Sequence, residues 1–203
     1  RSIMGRFFGT AEDKVAREAA CSVLWLKTPR LGDRMTVVTS SDHVEEPFDL
    51  TEHLVNACVH VHVGVRRKDL LFQEIANAFA PSFPGVTAED VTAALLRREL
   101  MQNTSVGLGV GMPHATLPDA KKSVVGVFVS EEPLDYSAPD NKPIDVFFVT
   151  MGPPSDRNKH LQILSALSEM SLHSNALAEL RASASREDAL AAIHAALETL
   201  KSR

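Results

Sequence analysis

Apolar and polar positions follow two different rhythms along this chain. From Lys68 to Ala80, Leu70, Leu71, Ile75, Ala76 and Phe79 recur at helical spacing and stop before Pro81, which predicts an amphipathic helix followed by a loop at Pro81–Gly85. Thr87 with Asp90 three residues on reads as a capped helix start, and Val91, Ala94 and Leu95 carry that helix to Arg97-Arg98-Glu99. The second rhythm is that of strands. Val55–Val63 alternates, Ser123–Val129 is β-rich, and Ile144–Met151 is apolar nearly throughout, as a central strand should be. Glu131–Tyr136 and Pro139–Pro143 read as turns. His160 is expected to open a helix with Leu161, Ile163, Leu164, Leu167 and Met170 inward, followed by helices at about 175–181 and 186–200, the last capped by Ser185 with Asp188. Helices and strands alternate, so the expected class is α/β: a small mixed β-sheet flanked by helices, preceded by a helix–strand fragment.

That fragment lies at residues 1–30. Thr10 caps a helix with Val15, Ala16, Ala19 and Ala20 on one side, and Cys21–Lys27 is a short apolar strand halted by Thr28-Pro29. Residues 31–47 are polar and bounded by proline, with one short strand at Met35–Val38, and read as a linker. The main domain is expected over 48–203.

Composition narrows the function. With 203 residues and 44% hydrophobic content the chain can bury a sizeable core. A net charge of −5 offers no basic stripe to neutralise phosphates, which argues against nucleic acid as the main partner. Cys21 and Cys58 form no CxxC pair and suggest free thiols in a reducing compartment. No apolar run reaches membrane-spanning length, and the start at Arg1 suggests a piece of a longer protein.

The candidate chemistry is concentrated in Thr104-Ser105-Val106-Gly107-Leu108-Gly109-Val110-Gly111-Met112-Pro113-His114. Its glycines permit close approach and positive φ, and Pro113 stiffens the chain just before His114. An imidazole presented this way is able to act as nucleophile, base or metal ligand, or can simply be a turn residue. A second cluster, Cys58, His60 and His62, falls on one face if Val55–Val63 is a strand. It invites a zinc reading, although a tetrahedral site needs a further ligand that the sequence does not offer nearby, and a half-exposed strand face is the simpler explanation.

The glycine-rich string resembles the active-site signature of the enzyme IIA domains of the mannitol/fructose class in the phosphoenolpyruvate-dependent sugar phosphotransferase system, and of their nitrogen-regulatory relatives. Arg98-Glu99 upstream and His160-Leu161-x-x-Leu164 downstream fall where that family has them. Ser105 and Gly111 depart from the pattern by exchanging one small residue for another. The resemblance implies a phosphohistidine at His114, formed from an HPr-type carrier protein. His160, Arg98 and the Thr104 hydroxyl would stabilise the phosphoryl oxygens, with no metal or other cofactor.

Residues 1–30, from Gly5-Arg6-Phe7-Phe8-Gly9-Thr10 to Cys21-Ser22-Val23-Leu24-Trp25-Leu26, are similar to the C-terminal end of a universal-stress-protein domain, with Ser22 where proline is usual. No onward acceptor motif follows, so a regulatory domain is expected over a transport step. Such a domain would be cytoplasmic, and could be the tail of a membrane transporter in the same longer chain. An apolar strand at Val23–Leu26 offers an edge for oligomer formation. Two other classes remain open: a docking module of the same fold that carries no phosphate, and a metal-dependent enzyme using His114 and His160 as ligands.

Overall fold

The computed structural model describes residues 48–173 and 175–201. The readings made for residues 1–47, namely the universal-stress-like piece, the linker, the short strand and the oligomer edge, lie outside the described residues.

Six strands form one mixed sheet among the described residues: β1 (Leu54–Val63), β2 (Ser105–Gly107), β3 (Val110–Gly111), β4 (His114–Thr116), β5 (Val124–Leu134) and β6 (Ile144–Gly152). The order is β1-β5-β6-β3-β2, and β4 also pairs with β6. Strand β6 runs antiparallel to β5 and parallel to β3 and β4, so it holds the sheet together. Its residues point alternately to two cores. Phe147, Val149 and Met151 belong to one, and Val146 and Phe148 to the other. A strand buried on both faces has no polar side to show, which is why its sequence does not alternate.

The first core is covered by α1 (Lys68–Phe79) and α2 (Ala88–Met101), whose Leu71, Phe72, Ile75, Phe79, Val91 and Leu95 are all buried. The second lies under α3 (Arg157–His173), α4 (Ala176–Ala182) and α5 (Arg186–Lys201). Helix α2 starts at the expected capping box: Asp90 N donates to Thr87 Oγ1 at 3.2 Å and Thr87 N to Asp90 Oδ2 at 3.0 Å. Ahead of α5, Ser185 Oγ accepts from Asp188 N at 3.1 Å and donates to Asp188 Oδ2 at 2.8 Å.

Three local readings need correction. Strand β5 runs on through Glu131, Glu132 and Pro133 to Leu134, residues that read as a turn; Leu134 pairs with Ile144 after an irregularity in register, so proline sits where the ladder is already interrupted. Helix α3 begins at Arg157, which puts His160 within its first turn and not at its opening, with His160 N donating to Asp156 O at 3.0 Å. In β1 the two-residue alternation is interrupted by register shifts, and His62 has φ +55°. Cys58 is buried, and its thiol donates to Ala78 O; His60 stacks on Phe128 at 4.9 Å between centroids, and His62 is exposed. No three His, Cys, Asp or Glu side chains among the described residues are grouped to hold a metal ion.

Candidate active site around His114

The glycine-rich segment is a tight hairpin followed by a short strand, not one extended run. Gly107 pairs with Val110, leaving Leu108 and Gly109 as a two-residue turn. Both have positive φ, +57° and +73°, as a type I′ hairpin turn requires, and Gly107 before them is at +85°. The turn is held from outside: Arg181 Nη2 donates to Leu108 O at 2.8 Å while its guanidinium grips both oxygens of Asp145 at 2.7 and 2.8 Å. Gly111 has ordinary φ but lies so close to Phe147 that a Cβ there would stand 2.9 Å from the ring. The chain then bonds to β6, and His114 stands opposite Thr150 in the parallel register.

His114 is half-buried, and its two ring nitrogens have different partners. Nδ1 lies 2.9 Å from Met112 O, and Nε2 receives the Nε–H of Arg98 at 2.9 Å. A carbonyl can only accept and a guanidinium can only donate, so Nδ1 carries the proton and Nε2 keeps its lone pair. Burial, then the Arg98 charge, then His160 lower the pKa of His114 from 6.5 to about 4, which keeps the ring neutral at physiological pH. The His160 ring lies 5.2 Å away, tilted by 51°, and its own pKa is lowered by burial and by Arg98. Arg98 also reaches Gln102 O at 3.0 Å. Helix α2 and helix α3 therefore approach His114 from opposite faces of the sheet.

Of the four residues expected to act together, His114, Arg98 and His160 converge directly. Thr104 is buried, and its hydroxyl is committed elsewhere: Oγ1 donates to Glu99 Oε2 at 2.6 Å and lies 2.9 Å from the Tyr136 hydroxyl. Its backbone reaches the site, because Met112 N donates to Thr104 O at 2.8 Å. The sequence placed Glu99 in the family's motif beside Arg98 but assigned no role to the carboxylate, which stands at the centre of this cluster. Glu99 accepts from Thr104 N at 3.1 Å and from the Tyr136 hydroxyl at 3.2 Å, and pairs with Lys68 Nζ at 2.9 Å. Lys68 in turn lies 3.9 Å over the Tyr136 ring. Burial and the neighbouring Glu99 charge raise the Tyr136 pKa above the ordinary phenol range, so its hydroxyl stays protonated. The adjacency of Glu99 to Arg98 was the available signal.

The architecture is thus a mixed sheet between two helical layers, with a neutral histidine whose Nε2 faces an arginine at the edge where the layers meet. Residues 52–196 match the family model for the phosphoenolpyruvate-dependent sugar phosphotransferase system, EIIA 2, and the chain belongs to that family. It is similar to the nitrogen regulatory protein of Klebsiella oxytoca, 32% identical over 71% of this chain and 89% of that protein. The fructose-specific EIIA component of the phosphotransferase system in Haloferax volcanii is 38% identical over 46% of this chain and 61% of that protein. Among solved structures, the nitrogen regulatory protein IIA-Ntr of Neisseria meningitidis superposes with a TM-score of 0.65 at 26% identity, over 72% of this chain and 97% of that one.

Proposed function

We propose that His114 is the phosphoryl-accepting residue of this enzyme IIA domain and that its Nε2 is the nucleophile. The observation that supports this most directly is the pair of bonds that leaves Nε2 unprotonated and facing Arg98. The donor is an HPr-type carrier protein bearing a phosphohistidine. The Nε2 lone pair attacks phosphorus in line with the donor's N–P bond; that bond breaks, its electron pair returns to the donor imidazole, and a new N–P bond forms on His114. No external oxidant or reductant enters the step.

Arg98 has two positions to serve. In the free chain its Nε–H covers the Nε2 lone pair. As the phosphoryl group arrives, the guanidinium moves from the nitrogen to the oxygens, where its planar donors match a dianion. The His160 ring, 5.2 Å from that of His114 between centroids, supplies a further hydrogen bond to the transferring group. The committed hydroxyl of Thr104 favours a holding role for that residue over contact with phosphate.

The likeness to nitrogen regulatory proteins over most of their length supports a regulatory use of the phosphoryl group, and the fructose-specific relative, matched over a shorter stretch, supports the transport alternative. A cytoplasmic setting follows from the donor. No helix among the described residues is long and apolar enough to cross a membrane. Intact mass after incubation with phosphoenolpyruvate, enzyme I and an HPr-type carrier tests the reading. The native chain is expected to gain one acid-labile phosphoryl group, and His114→Ala none. A native chain that gains nothing from either the sugar or the nitrogen-branch carrier would overturn it.

A further inference from the structure

Helix α2 reaches His114 by two routes, through consecutive residues. Arg98 touches Nε2 directly. Glu99 acts through a relay: its carboxylate accepts both the N–H and the hydroxyl of Thr104, Thr104 O accepts the N–H of Met112, and Met112 O accepts Nδ1–H of His114. The start of the relay is pinned on its other side, since Lys68 from α1 neutralises Glu99 and the buried Tyr136 hydroxyl lies against it. Four polar contacts on one poorly exposed carboxylate leave the Thr104 backbone little freedom to move. The Met112 carbonyl inherits that restriction.

We propose that Glu99 is a positioning residue which holds the proton of His114 on Nδ1, by fixing the Thr104–Met112 backbone against which that proton is donated. The role deepens the reading of His114 as the phosphoryl acceptor and rests on it for its purpose, though not for its test. Arg98 withdraws from Nε2 when a phosphoryl group arrives, and it then no longer specifies the tautomer. Through that interval the Glu99 relay, together with the pairing to β6 on either side of Met112, keeps Nε2 bare and correctly aimed, and the same fixed carbonyl steadies the ring once it is phosphorylated.

The decisive measurement is the tautomer of His114 by side-chain nitrogen NMR at pH 7, in 15N-histidine-labelled chains. In Arg98→Ala the direct contact is gone and only the relay remains, so the Nδ1–H form is expected to persist. Adding Glu99→Gln replaces the charged acceptor by a neutral amide and removes the Lys68 pair, and the Nε2–H form is expected to rise by about tenfold relative to Arg98→Ala. Tyr136→Phe in the Arg98→Ala background leaves both Thr104 bonds to Glu99 and should leave the tautomer unchanged, whatever it does to stability. If the Glu99→Gln double variant does not fold, Arg98→Ala with Thr104→Val removes one of the two Thr104 bonds and should give a smaller shift in the same direction. Identical tautomers in folded Arg98→Ala and in the double variant would overturn the proposal, as would a mixed tautomer in Arg98→Ala alone, which would leave control with Arg98. The readout is independent of phosphorylation, so failure of the carrier assay and failure of this one are separate results.

Discussion

The glycine-rich segment is clamped by a carboxylate at two points, its start and its hairpin turn, and the two clamps are built on different physics. At Thr104 the carboxylate is Glu99, whose side chain is 9% exposed and gathers four polar contacts. At the hairpin turn it is Asp145, 22% exposed, bound bidentately by an Arg181 that is itself 37% exposed. The outer clamp has good geometry but works in water, where ion pairs are screened and contribute about 1 kcal/mol or less. The inner one contributes through what its loss would strand: a partly buried ammonium, a buried hydroxyl and a backbone N–H. The lesson is that the start of the segment, whose backbone bonds to Met112 beside the chemistry, is fixed by a cluster whose members depend on one another, while the turn is fixed by a pair that can be exchanged cheaply.

The largest break in this comparison should come from Glu99→Ala, expected to cost about 4 kcal/mol in urea unfolding, because it leaves Lys68 and Thr104 without their partner. If that loss were no greater than for Arg181→Ala, the contrast between the clamps would fail. Next in size is the response to acid. The folded-state pKa of His114 is depressed from 6.5 to about 4, so between those pH values the unfolded chain binds the extra proton and the folded one does not. Stability contributed by the neutral ring is therefore present above pH 6.5 and is lost as pH falls towards 4, by up to roughly 3 kcal/mol. In His114→Gln the slope of unfolding free energy against pH in that window should flatten, with His160 accounting for part of what remains.

Arg181→Ala is expected to cost about 1 kcal/mol, and the difference from native should shrink when salt is raised from low ionic strength to 1 M. The Glu99→Ala difference should barely respond to the same salt. The smallest effect is expected at Thr150, beside His114 in the sheet, which is fully buried with a side-chain oxygen that has no hydrogen-bond partner. Thr150→Val keeps the shape and removes the stranded hydroxyl, so thermal unfolding should show a gain of up to about 1 kcal/mol.

Much of the fold was legible because periodicity reports burial. The stripe of Leu71, Ile75 and Phe79 and the nearly continuous apolar run of β6 each have one structural solution, and the Thr87–Asp90 capping box marks a helix start chemically. The reactive histidine and its arginine were legible through the string that surrounds them. What was not legible depends on partners distant in sequence. Tyr136 stood among turn residues, yet it is fully buried, because Thr104 and Glu99 some thirty residues earlier satisfy its hydroxyl. Thr104 looked available for phosphate for the same reason: nothing local announces that its hydroxyl is already taken. The hairpin at Leu108-Gly109 was hidden because a non-glycine residue occupies a positive-φ position, which the Arg181 contact to Leu108 O helps to hold.

The parallel pairing of β1 with β5 has a kinetic consequence. The two strands are separated by both α1 and α2 and by the whole hairpin region, and β1 is further tied to α5 by Arg186 Nε donating to Val59 O across 127 residues of chain. Contacts closed over such long loops are paid for in chain entropy before they return any stabilisation, so the sheet should assemble more slowly than a helical bundle of equal size. During that delay β5 and β6 expose unsatisfied edges. A domain whose sheet closes over such long stretches of chain is therefore most exposed to aggregation on the way to its resting state.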